Sequence, residues 1–194
     1  MAVYFISDLH FGHKNILTYD NRPFKTIEEH DNALVKNWNN TISNDDEVYI
    51  LGDISWHNAT KTIEIVKSLN GIKHLIVGNH DKNLIKNKEF NSLFAEITNY
   101  KELYLSNSKG IVLCHFPILF FNKHQYGWFH LYGHVHNSFE WNMIERIKYE
   151  CETESVYNNK SCKMYNTGAM IPYMNYTPRT LNEILQANNK ELME

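Results

Sequence analysis

Nine residues of this 194-residue chain could do chemistry together, and they fall into five groups: Asp8 and His10; Asp53; Asn79, His80 and Asp81; His115; and His134 with His136. Each group follows an apolar run. Gly133-His134-Val135-His136 is the most telling. Histidines at i and i+2 on an extended segment point to the same side, and two imidazoles facing one way are metal ligands that want acidic partners. The other four groups supply such partners. Taken singly, each group is also what an ordinary turn contains. Taken together, five successive run ends deliver Asp, Asn or His and almost nothing else ionisable, a choice that a structural role would not need five times.

The elements that must position these residues can be read from pattern. Residues 2–7 form a short continuous apolar run, as a strand buried on both faces does, and it ends in Ser7-Asp8. Thr26 with Glu29 has capping-box spacing and opens a helix through Ile27, Leu34, Val35 and Trp38. Residues 48–51 form a second strand, residues 59–69 a second helix stopped at Asn70-Gly71, and residues 74–77 a third strand. Strand–helix alternation predicts a parallel sheet whose ligands bind beyond the carboxyl ends of the strands. In the second half, residues 100–105, 110–115 and 129–132 are strand-like with little helix between them, which predicts a second, more antiparallel sheet. Residues 145–163 are polar and weakly periodic, and are expected to form a protruding hairpin or mobile loop. Residues 163–166 are a further strand candidate. Thr180 with Glu183 repeats the capping-box spacing and opens a closing helix.

Composition bounds the rest. The length suits one domain over residues 1–194. A net charge of −3 gives no reason for broad attraction to nucleic acid or membranes. Three cysteines are too few for a disulfide framework and suit a reducing cytosol, so a cytoplasmic location is expected. No signal-peptide pattern is present, and no apolar stretch nears the roughly 18 residues that span a bilayer.

Asp8-Leu9-His10, Gly52-Asp53, Gly78-Asn79-His80-Asp81, His115 and Gly133-His134-Val135-His136 together resemble the full motif set of the calcineurin-like metallophosphoesterases. The resemblance runs from residue 3 to about residue 187 in the family's order and spacing. It is nearest to the small stand-alone bacterial and phage phosphoesterases, through residues 8–16, 21–24 and 131–136. It implies an α/β fold of four layers, helix–sheet–sheet–helix, with two mixed sheets. It also implies two divalent transition-metal ions per chain, manganese foremost, with iron, zinc, nickel and cobalt compatible. By residue, it implies that Asp8, His10 and His136 hold the first ion, that Asn79, His115 and His134 hold the second, and that Asp53 bridges them. His80 would be a catalytic histidine that holds no metal, and Asp81 would orient its ring.

The chemistry wants these residue types. Phosphate ester hydrolysis needs a nucleophile, relief of charge on the phosphoryl oxygens, and a proton for the leaving group. Two ions about 3.5–4 Å apart meet the first two needs through a shared hydroxide, and His80 can meet the third. Neutral imidazole and carboxamide ligands preserve the excess positive charge that draws an anionic substrate. His13, Asn15 and Arg22 are candidate substrate contacts; for Arg22 a surface ion pair, and for Asn15 a helix cap, are the alternatives. Trp56, His57, His124 and Tyr126 are read first as packing, with a substrate rim as the alternative. His30, His74 and His130 receive no role. The leading expectation is hydrolysis of a phosphomonoester or a small phosphodiester such as a cyclic nucleotide. The competing ones are a nuclease of the same type, disfavoured by the lack of a basic stripe, and a non-catalytic interaction module.

Overall fold

The strands are β1 (Val3–Ile6), β2 (Glu47–Ile50), β3 (Ile72–Ile76), β4 (Glu96–Thr98), β5 (Tyr100–Tyr104), β6 (Gly110–Cys114), β7 (Phe129–Tyr132), β8 (Met164–Asn166) and β9 (Arg179–Thr180). The helices are α1 (Ile16–Tyr19), α2 (Ile27–Thr41), α3 (Ala59–Ser68), α4 (Lys88–Asn91), α5 (Phe139–Thr153) and α6 (Leu181–Glu191). They belong to a computed structural model that describes residues 1–105, 109–153 and 162–191.

The first sheet has the order β4-β3-β2-β1-β9. β1 to β4 are parallel, as the strand–helix alternation predicts, and only β9 is antiparallel. Local signals place its helices. Thr26 Oγ1 accepts the Glu29 N–H at 3.2 Å, while Glu29 reaches back one residue further than a capping box requires, to the Lys25 N–H at 2.9 Å. The Thr180–Glu183 box is fully reciprocal, with bonds of 2.8 and 3.3 Å.

The second sheet has the order β5-β6-β7-β8 and corrects one expectation. Only β5 and β6 run antiparallel; β6, β7 and β8 are parallel to one another. Residues 145–163 bring a second correction. Residues 145–153 complete helix α5, which carries the chain from β7 towards the parallel β8; residues 154–161 lie outside the described residues. Periodicity missed α5 because only Ile144 on it is fully buried. The rest is a solvated helix carrying the ion pairs Glu145–Lys148 and Arg146–Glu150, both at 2.8 Å, which add a few tenths of a kcal/mol each.

The layers follow from alternation along β6 and β7. Ile111, Leu113, Phe129 and Leu131 join the large core shared with the first sheet, α2, α3 and α6. Val112 and Tyr132 face the other way, into a smaller core with Trp128, Ile144 and Met164. Both strands are therefore buried on both faces, each large apolar side chain contributing about 1.5–3 kcal/mol. The result is two mixed sheets flanked by helices. The carboxyl ends of β1, β2 and β3 meet those of β6 and β7 at one edge, where all nine chemistry-bearing residues stand. Among the described residues no helix is long and apolar enough to cross a membrane.

Candidate metal centre

The strand ends turn sharply into the site. Asp8, His10, Asp53, His134 and His136 all have left-handed backbones, with φ between 48° and 69°. Such residues cost on the order of 1–3 kcal/mol each and persist only where the surroundings hold them. Two glycines allow the turns to approach closely. A Cβ on Gly52 (φ 86°) would lie 2.5 Å from His115 Nδ1, and one on Gly78 would lie 2.2 Å from Asp53 Oδ1.

Around Asp53 the donors converge. Its Oδ2 lies 3.9 Å from His10 Nε2, 3.7 Å from His115 Nε2 and 3.9 Å from His80 Nε2. Asp8 Oδ1 lies 4.0 Å from His10 Nε2 and 3.6 Å from His136 Nε2. Asn79 Oδ1 sits between His115 Nε2 at 3.0 Å and His134 Nδ1 at 2.9 Å. Five of the seven ligands that the motif resemblance implies form two overlapping groups that share Asp8, Asp8-His10-His136 and Asp8-Asp53-His115, and Asn79 joins His115 to His134 beside them.

Does this set fit cations? His10 Nε2 is buried and has no hydrogen-bond partner. Contacts of 3.6–4.0 Å are too long for hydrogen bonds, yet about right for two atoms on opposite sides of an ion bound at about 2.0–2.2 Å. The outer ring nitrogens are already committed. His115 Nδ1–H donates to the Leu51 carbonyl at 2.7 Å, and His136 Nδ1–H donates to Asp20 at 2.8 Å. Their Nε2 atoms are thereby left facing the Asp53 and Asp8 carboxylates, at 3.7 and 3.6 Å. Imidazole and carboxylate atoms converging in a buried space are a donor set that fits a metal.

Titration carries the same message. Burial, then the Asp8 charge, pushes the Asp53 carboxyl up to about 7 in the metal-free protein. Burial, then Arg22 and the neighbouring imidazoles, drives His10 well below the usual histidine range. It is the neutral, ligating form, so its contacts with Asp8 and Asp53 are not ion pairs. Burial also lowers His134, His13 and His80. For His136 burial acts against the charge, but the Asp20 hydrogen bond and the Asp8 and Asp20 charges outweigh it and raise the pKa.

Three expectations need correction. Asp81 does not hold the His80 ring. It is fully buried, and its carboxylate accepts the N–H groups of Gly78, Asp53 and Ile54 at 2.8, 2.9 and 3.0 Å. It fixes the backbone that presents Asp53. Arg22 is neither a substrate contact nor a surface ion pair. It is 4% exposed, and its five N–H groups are all used: two on Asp20, one each on the carbonyls of Asp8 and Leu9, and one on His30. Asn15 stands at the N-cap position of α1 but makes no capping bond, and it is exposed outside the cleft. His13 does line the cleft, with its ring 4.2 Å from that of Trp56.

Asp20 is the residue that sequence reasoning missed. It receives His136 on one side and Arg22 on the other. A carboxylate behind a ligating histidine fixes the tautomer and raises its basicity. Asp20→Asn is expected to weaken cation binding at the Asp8-His10-His136 position by about 10–100-fold. Titration calorimetry with Mn²⁺ checks this; an unchanged isotherm would contradict it. His30, given no role, also belongs to this shell: it accepts from Arg22 at 2.8 Å and donates to Asp31 at 2.8 Å.

Fold and cluster together define a protein that holds a carboxylate- and imidazole-lined cation site on the edge of a two-sheet sandwich. The chain belongs to the calcineurin-like phosphoesterases, whose family model matches residues 1–166; these are metal-dependent phosphoester hydrolases. An uncharacterized protein of Methanocaldococcus jannaschii is 39% identical over 138 residues, 69% of each chain. The gene 66 protein of Mycobacterium phage L5 is 42% identical over 81 residues, 40% of this chain and 39% of that one. The crystal structure of a protein of unknown function from Aquifex aeolicus superposes with a TM-score of 0.68 at 26% identity, covering 95% of this chain and 98% of that one.

Proposed function

We propose that this protein is a dinuclear metal-dependent phosphoesterase that hydrolyses a small phosphomonoester or phosphodiester. The observation that carries the reading is the Asp53 carboxylate, 3.7–3.9 Å from ring nitrogens of His10, His80 and His115. Asp8, His10, Asp53 and His136 would hold one cation, and Asp53, Asn79, His115 and His134 the other. When bound, such a pair lowers the pKa of a water to about 7 and offsets charge on the phosphoryl oxygens. The proposed ligands include only two carboxylates, Asp8 and Asp53, and the Asp20 charge beside them is paired with Arg22 at 2.9 Å, so an anionic ester is still attracted.

The chain's own groups do the rest. The cleft encloses about 430 Å³, in the range of small-ligand sites, with His13, Ile16, Tyr19 and Trp56 as its walls. Water adds its oxygen to phosphorus. The bond to the leaving group breaks with its electron pair on the leaving oxygen, which takes a proton from His80. The two protons of the consumed water account for the one that returns to His80 and the one that stays with the phosphate. Among the described residues no Lys or Arg lines the cleft, so they give the nuclease alternative no basic track for a nucleic-acid backbone.

A panel of aryl monoesters, aryl diesters, nucleotides and cyclic nucleotides, run with Mn²⁺, Ni²⁺, Zn²⁺ and chelator, tests the reading. Turnover is expected with metal and its abolition with chelator, and the monoester-to-diester ratio assigns the reaction class. Chelator-insensitive turnover, or none on any ester with any metal, overturns it.

A further inference from the structure

A second groove lies next to the metal cleft, beside His80. It encloses about 360 Å³ between residues 55–59 and 80–84. Trp56 and His80 line both spaces, so the two adjoin across these side chains. The partition is held firmly: the Trp56 ring lies 4.4 Å from that of His10, 4.2 Å from that of His13 and 4.2 Å from that of His80. The His80 side chain is 48% exposed at this boundary.

We infer that this groove is the leaving-group subsite, and that it takes an uncharged, hydroxyl-bearing ring, a nucleoside or a sugar. The inference rests on the phosphoesterase reading above. In an in-line displacement the leaving oxygen departs on the side away from the attacking water. If His80 supplies its proton, the atoms beyond that oxygen continue past His80, where the groove begins.

The lining decides the chemistry. None of its eight described lining residues is Lys, Arg, Asp or Glu, and the Lys86 ammonium beside it is held on Asn83 Oδ1, so the lining itself supplies neither a basic side chain for a second phosphate nor a carboxylate for an ammonium. What it offers is carboxamides on an apolar floor. The Oδ1 atoms of Asn58 and Asn83 already accept from the Lys61 N–H at 2.9 Å and the Lys86 ammonium at 3.0 Å. Their amide N–H groups remain as donors for hydroxyl or carbonyl oxygens. His57 is fixed by Asp31 at 3.1 Å and by Gly12, where an added Cβ would lie 2.5 Å from its ring. Leu84, 6% exposed, forms the floor, and Ala59 leaves room above it. The volume is at the small end of ligand sites, which suits one such unit rather than a polymer.

The test uses zinc-loaded protein and two substitutions on the groove alone: Ala59→Trp, which fills it, and the exposed Asn83→Ala, which removes one donor. Saturation-transfer NMR with free uridine and free glucose reports binding of each source of the ring. Kinetics on uridine 5′-phosphate, glucose 6-phosphate and methyl phosphate, run with Mn²⁺, report its use. Uridine or glucose is expected to bind the wild type. Ala59→Trp should then weaken binding, and raise KM for the matching ester, by about tenfold or more. Asn83→Ala should do so by about fivefold, the worth of one hydrogen bond. Methyl phosphate turnover should stay within about twofold. Unchanged ring binding and KM in both variants, or an equal loss on methyl phosphate, overturns the subsite. If no ester is hydrolysed with any metal, the phosphoesterase reading fails, and the binding arm still decides the groove. Ring binding lost in Ala59→Trp supports it, and no binding to the wild type overturns it.

Discussion

Replacing Asp53 with Asn is expected to cut metal loading from two cations per chain to fewer than one, and to remove turnover with them. One carboxylate would serve both proposed positions: its Oδ2 faces His10 and His115, at 3.9 and 3.7 Å. A carboxamide offers a single weaker oxygen and no charge to hold two dications against each other. Elemental analysis after reloading with Mn²⁺ checks this, and two full cations in the variant would contradict the bridging role. A second readout has the opposite sign. In chelator, the wild-type carboxyl has its pKa raised from 3.8 to about 7, first by burial. The folded protein therefore binds more protons than the unfolded chain between those values. Stability falls as pH rises through that window, by up to on the order of 3–4 kcal/mol, and stays low above it. Asn does not titrate. The metal-free variant should thus equal or exceed the metal-free wild type in thermal stability at pH 8, while the wild type regains the advantage when metal is added.

The first sheet is legible in the chain because its strands are short, doubly buried apolar runs and its helices carry their caps at the right spacing. The same logic places the ligands, since strand ends on a parallel sheet share one edge. What escapes is whatever depends on burial or on distant pairing. Arg22 in a polar loop looks like a surface residue, and only the fold shows all its donors turned inward. Asp20 stands 116 positions from His136, its partner, with no motif to join them. Asp81 misleads for a local reason. It follows His80, which suggests a dyad, but adjacent residues at the start of a helical turn do not face each other. The turn over Asp81–Lys86 sends its carboxylate to the backbone beneath Asp53. The parallel direction of β7 is hidden because its connection from β6, residues 115–128, holds only a short 3-10 turn at His124–Tyr126 where a crossover helix is usual.

His80→Gln is expected to keep both cations and the fold while lowering kcat by at least about 100-fold, the ordinary scale for losing a general acid. The position of His80 suits that role. Its backbone N–H is tied to Asp53 Oδ1 at 3.0 Å, which sets the ring at the edge of the cation cluster, and its side chain is half exposed to the cleft. Burial, with the charges of His115 and His136, lowers its pKa in the absence of substrate, and Asp81 opposes them only in part. A dianionic phosphate beside the ring favours the imidazolium again, so the proton is drawn in with the substrate it serves. Two measurements separate this from a merely structural loss. Metal stoichiometry in the variant should be that of the wild type, since His80 is not among the proposed ligands. The loss should also grow with the basicity of the leaving group, being small for an aryl ester whose phenolate departs unaided and largest for an alkyl ester whose alkoxide cannot. A uniform loss across that series, or near-normal turnover of the alkyl ester, would take the proton away from His80 and leave the leaving group to solvent.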